Sequence, residues 1–111
     1  MAKKKGQDVP QAHGPVRLEQ HGEETWLLLE GTVHIAHARE LHALAREAAA
    51  TSLPVVIQAQ RLQRIDIAAT QVLLALRETL IRQGRHMSWS GAPASVIESM
   101  RLAGLAESFG V

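Results

Sequence analysis

Between Val55 and Leu76 the chain reads VVIQAQRLQRIDIAATQVLLAL, and the spacing of its apolar residues changes part way along. Val55, Val56 and Ile57 are β-branched and follow Pro54, the composition of a short buried strand. The polar residues after them read as a loop. From Asp66 the spacing turns helical, with Ala69, Leu73, Leu76 and Leu80 on one face. Asp66 stands where an N-cap belongs, because its carboxylate can accept a backbone N–H of the first turn. A strand that leads into a capped amphipathic helix points to an α/β arrangement.

The rest of the chain extends that pattern. Val16 to Gln20 and Thr25 to Glu30 read as two strands joined by a hairpin-length connection, His21 to Glu24. Trp26, Leu27, Leu28 and Leu29 form an unbroken apolar run, which predicts a central strand covered on both faces. From Ala38 the period is helical, with Ala38, Leu41, Ala45 and Ala48 aligned, and Thr51, Ser52 and Pro54 closing the helix. Gly84 ends the next helix as a glycine past the C-cap does. Residues 85–90 alternate so that Met87 and Trp89 share one face of a fourth strand. Pro93, at a first-turn position, opens a helix over Ala94 to Ala103, and Gly104 leads into a tail with Leu105 and Phe109. The order β-β-α-β-α-β-α predicts one α/β domain, a mixed four-stranded sheet with three or more helices, over residues 15–111. Residues 1–14 carry Lys3, Lys4 and Lys5 with almost no apolar content and read as a disordered basic tail.

Composition removes several classes of function. With no cysteine, disulfides and thiolate metal sites are excluded, which fits a reducing cytosol. A net charge of +1 and only three aromatic residues, Trp26, Trp89 and Phe109, argue against nucleic-acid binding. No apolar run approaches the roughly 20 residues of a membrane-spanning helix, and the lysine-bearing start has no apolar segment after it. A soluble cytoplasmic protein is expected.

The residues around Asp66 resemble the signature of the STAS domain, the fold of bacterial anti-sigma factor antagonists. In that family an apolar strand leads to D-S-S-G-L at a helix start, and the second serine is the phosphorylation switch. Asp66, Ile67, Ala68, Ala69 and Thr70 occupy those positions here, so the aspartate is kept and the switch hydroxyl is lost at Ala68. Leu29 to Leu41, LEGTVHIAHAREL, resembles L-x-G-E-L-D-L-A-T-A-P-E-L without a gap, with His34 at the usual aspartate and His37 at the helix-capping threonine. Gln58 replaces the aspartate of the third strand. Ser90 to Leu105 is similar to the family's closing segment through Gly91, Pro93, Val96, Leu102, Gly104 and Leu105.

The resemblance implies a stand-alone, non-enzymatic interaction module involved in signal transduction and transcription regulation. Its expected partner is a protein: an anti-sigma factor or related kinase, or a signalling scaffold. A homodimer is left open. The residues expected to meet the partner are Asp66, Ile67, Ala68, Thr70, Gln71 and Leu74. No phosphorylation is expected at the switch position, because Ala68 has no oxygen to accept the group. Two alternatives are a cytosolic STAS subunit of a lipid-transport ABC complex and a small-ligand sensor. Transporter subunits of that kind often keep a hydroxyl directly after the aspartate, where this chain has Ile67.

Other constellations point to no second chemistry. His34 and His37 have a spacing that can face one metal ion, but a third ligand is missing, and His42 lies about 140° around the helix from His37. No catalytic signature or phosphate-cradling glycine loop is present, and no cofactor is expected. Asp66 as a general base is a poorer account than Asp66 as a cap. Ile67, Leu74 and Ile81 recur every seven residues on the side of the helix nearly opposite its core face. Either a neighbouring helix covers them or they form a docking stripe.

Overall fold

The computed structural model describes residues 14–109. Residues 1–13 of the expected tail lie outside the described residues. The elements are β1 (Val16–His21), β2 (Glu24–Val33), a 3-10 turn (Ile35–His37), α1 (Ala38–Ala50), β3 (Val55–Ile65), α2 (Ile67–Arg82), β4 (Met87–Ser90), α3 (Ala94–Leu102) and α4 (Ala106–Phe109). The sheet order is β1-β2-β3-β4, antiparallel between β1 and β2 and parallel elsewhere. This is the expected mixed sheet and element order, with one further helical turn at the end. Pro93 sits at the N-cap of α3, one position earlier than expected, with no side-chain cap bond.

The core lies between the sheet and the helices. Leu27, Leu29, Val55, Ile57 and Ala59 of the sheet meet Leu41, Ala45 and Ala48 of α1, Ala69, Leu73, Leu76 and Leu80 of α2, and Val96 and Met100 of α3. Phe109 closes the end of this core and meets Trp89 edge-on, with ring centroids 5.5 Å apart. The expectation that Trp26–Leu29 is covered on both faces is corrected. Burial alternates along β2, with Thr25, Leu27 and Leu29 buried and Trp26 and Leu28 half-buried. All the helices whose packing is described lie on one side of the sheet, so alternate residues face outward. On that outer face the His21 ring stacks on Trp26 at 3.8 Å between centroids, and Arg17 lies 3.5 Å from Glu30 and 3.7 Å from Glu19.

A second correction concerns the residues after Ile57. They continue β3 to Ile65 instead of forming a loop. The pairing with β2 slips twice: Leu28 opposes Gln58 but Glu30 opposes Arg61, and Gly31 opposes Leu62 but Thr32 opposes Arg64. Each slip places one extra residue in β3, the definition of a β-bulge. Burial therefore follows every third residue, Ala59, Leu62 and Ile65, with Gln60–Arg61 and Gln63–Arg64 exposed between them. Gly31, between the two slips, has φ +64°, which glycine adopts without strain.

The opposite end of the domain is held by Arg85. Its guanidinium donates to the Ala49 carbonyl at 2.8 Å, the Ala48 carbonyl at 3.2 Å, the Leu53 carbonyl at 2.5 Å and the Thr51 hydroxyl at 3.1 Å. The last carbonyls of α1 have no partner within the helix, and a cation there also complements the helix dipole.

Candidate partner-docking surface

Asp66 organises the end of the sheet where β2 and β3 stop. Its backbone N–H donates to the Val33 carbonyl at 3.1 Å, fixing the aspartate against the end of β2. In extended conformation before α2, it accepts the Ala69 N–H on Oδ1 at 3.0 Å, the expected cap. Its second oxygen, Oδ2, accepts the Ile35 N–H at 2.8 Å, across 31 residues of sequence. One carboxylate thus ties the 3-10 turn to the start of α2. Both oxygens hold backbone donors, which gives the side chain a structural role.

This arrangement displays two isoleucines. Ile35 is 71% exposed and Ile67 is 56% exposed, one on each element that Asp66 holds. Ala68 is half-buried beside Ile67, Gln71 is exposed one turn along, and Leu74 is half-buried against the edge of the core. Ile81, at the far end of the same stripe, is 52% exposed. The stripe is therefore covered only at its middle. Thr70 is the exception among the expected contact residues. It is buried, and its hydroxyl donates to the Asp66 carbonyl at 2.7 Å, so it supports the surface from below. Beside Ile67 a cleft lined by Ile65, Asp66, Thr70, Ser99, Met100 and Ala103 separates α2 from α3. Leu102, in the last turn of α3, is exposed at 76%.

Sequence reasoning missed Ile35. It lies in a segment too short for a period to be read, and its role depends on a contact 31 positions away. The histidines beside it have a structural task. His34 Nδ1 accepts the Ala36 N–H at 3.2 Å, and His37 Nδ1 accepts the His34 N–H at 3.2 Å. With Nδ1 used as an acceptor, the proton of a neutral ring sits on Nε2, and neither nitrogen has a free lone pair for a metal. Among the described residues no group of three or more metal-ligating side chains is assembled, and no helix is long and apolar enough to cross a membrane. His21 stacks on Trp26, and His86 is exposed.

Comparison with known proteins places this geometry in a family. The family model described as "Mlab, STAS domain" matches residues 16–110. Among solved structures, the unphosphorylated anti-sigma factor antagonist SpoIIAA superposes with a TM-score of 0.71 at 16% identity, covering 83% of each chain. An anti-sigma factor antagonist from Mycobacterium paratuberculosis gives 0.68 at 20% identity, over 85% of this chain and 80% of that one. A crystal structure of Mglu gives 0.62 at 20% identity over 74% of this chain, but the match spans only 21% of that chain. At these identities the superpositions speak for the fold. No curated protein matches the sequence. A family model that runs from β1 to the last helical turn, on a fold shared with anti-sigma factor antagonists, establishes that this chain belongs to the STAS domain family.

Proposed function

We propose that this STAS domain is a non-enzymatic regulatory module of the anti-sigma factor antagonist type, which docks a protein partner through the surface around Asp66 and works without the serine phosphoswitch. The observation that carries the reading is the pair of exposed isoleucines, Ile35 and Ile67, tied to one aspartate. Large aliphatics held outward at a rigid helix start contribute little to folding, whereas burying one in an interface is worth about 1.5–3 kcal/mol. Ala68 supplies no hydroxyl at the switch position, so regulation by added phosphate there is absent from this proposal.

The chemistry of the surface also describes its partner. Ile35, Ile67, Ala68, Gln71 and Leu74 carry no charge, and Asp66 has both oxygens engaged within the domain. The partner therefore presents an apolar patch, as an anti-sigma factor, a related kinase or a signalling scaffold would, and the interaction depends only weakly on salt.

The test compares full-length chains in thermal melts and in capture from lysate of the source cells. Ile67→Glu keeps the fold within about 0.5 kcal/mol, because it changes an exposed residue and places an acid in the first turn of α2. Partner capture falls at least about tenfold, equivalent to roughly 1.4 kcal/mol. Leu73→Ala is the control: Leu73 is fully buried and its truncation costs about 2–5 kcal/mol. Unfolding by Ile67→Glu, or unchanged capture by a folded variant, rejects this surface. Capture of transporter permease and ATPase subunits in place of signalling proteins would move the domain to the lipid-transport reading.

A further inference from the structure

The turn that presents Ile35 is closed by two imidazoles. In the common N-terminal capping arrangement a serine or threonine accepts a backbone N–H three residues ahead, and a glutamate or glutamine reaches back to the N–H of the cap residue. Here His34, in extended conformation at φ −132° and ψ −173°, is the cap, and His37 reaches back to its N–H. His34 Nδ1 accepts the Ala36 N–H, and the two rings lie 4.3 Å apart between centroids. A hydroxyl or carboxylate remains an acceptor at neutral and mildly acidic pH. A protonated imidazole does not, because both its nitrogens then carry N–H and no lone pair remains.

We propose that His34 and His37 form a proton-operated latch on the docking surface: neutral rings close the turn that holds Ile35, and protonation opens it. This deepens the docking reading and rests on it for its consequence, the loss of an ordered Ile35 as pH falls. The sign follows from proton binding. The closed turn uses both Nδ1 atoms as acceptors and so binds fewer protons than the open one, which favours closure as pH rises.

The turn packs against α1 and α2. The charged and titratable groups on these elements near it are Arg39, Glu40 and His42 in the first turns of α1 and Asp66 at the cap of α2, with Arg64 at the end of β3. Asp66 spends its oxygens on the Ile35 and Ala69 amides. Among the described residues no carboxylate lies within ion-pair distance of either ring. Once one ring is charged, the second faces a like charge across 4.3 Å.

The experiment uses the free, full-length, 15N-labelled chain, so its outcome does not depend on a partner. Imidazole nitrogen spectra at about pH 8 are expected to show both rings with the proton on Nε2. As the rings titrate, the amides of His34, Ile35 and Ala36 shift with them while that of Leu73 stays fixed. Protection of the turn amides from exchange, corrected for intrinsic rate, falls at least about fivefold, the factor that loss of one cap implies. In His34→Ser/His37→Glu, which has the common capping pair, the turn amides hold still over the same range. Nδ1-protonated neutral rings, turn amides indifferent to ring titration, or equal shifts in the double variant would each overturn the latch. Failure of Ile67→Glu to affect capture would remove the docking surface and leave these spectra unchanged.

Discussion

At Asp66 one side chain serves two separate parts of the chain. Its cap on Ala69 is legible from sequence, because an aspartate directly before a helical period stands where the first-turn amides need an acceptor. Its hold on Ile35 is not, since no local pattern marks a bond between residues 31 positions apart. Substitution separates the two tasks. Asp66→Ala leaves both amides without their acceptor and is expected to cost about 1–3 kcal/mol, read as a lower urea midpoint. Asp66→Asn keeps a single carbonyl oxygen, enough for one amide, so its loss is expected to fall between the wild type and alanine. An asparagine variant as unstable as alanine would mean that charge, rather than hydrogen-bond capacity, is what the site requires. His34 and His37 are ambiguous in sequence for a related reason. A spacing of three suits a shared metal and a reciprocal cap alike, and only the direction of Nδ1 decides between them.

β3 shows what a periodicity argument can and cannot recover at the scale of an element. Val55 to Ile57 are marked as strand by composition, and the helix after Asp66 by its period. The segment between them reads as loop because Gln60–Arg61 and Gln63–Arg64 are adjacent polar pairs, a pattern that matches neither a two-residue nor a 3.6-residue repeat. Two bulges produce that spacing, and the partner strand accommodates them at Gly31. An added methyl there would meet no atom within 4 Å, so the penalty of Gly31→Ala is confined to the backbone at φ +64°. It is expected to be about 1–2 kcal/mol by chemical denaturation, with the fold retained. A neutral result would show that the bulge can relax to negative φ.

For the molecule as a whole, element order and the parallel pairing of the last three strands are readable because strands and helices alternate with short connections. The one-sided covering of the sheet is not. Trp26 to Leu29 supplies apolar residues to both faces, and Trp26 satisfies its outward position by stacking with His21 instead of meeting a helix. The domain also has a tie that spans elements: Arg85 links the end of α1 to the connection before β3. Arg85→Lys keeps the charge but cannot reproduce a planar donor set aimed at several acceptors. A loss of about 2–3 kcal/mol is expected in thermal or denaturant unfolding, close to that of Arg85→Ala. A lysine variant of wild-type stability would assign the tie to charge alone. The one-sided sheet has a last, optical consequence. Trp26 lies on the face away from the described helices, against His21, and Trp89 lies on the helix side against Phe109. The two indoles are therefore separate reporters: in Trp89→Phe the remaining emission follows events on the outer face, and in Trp26→Phe it follows the integrity of the interior.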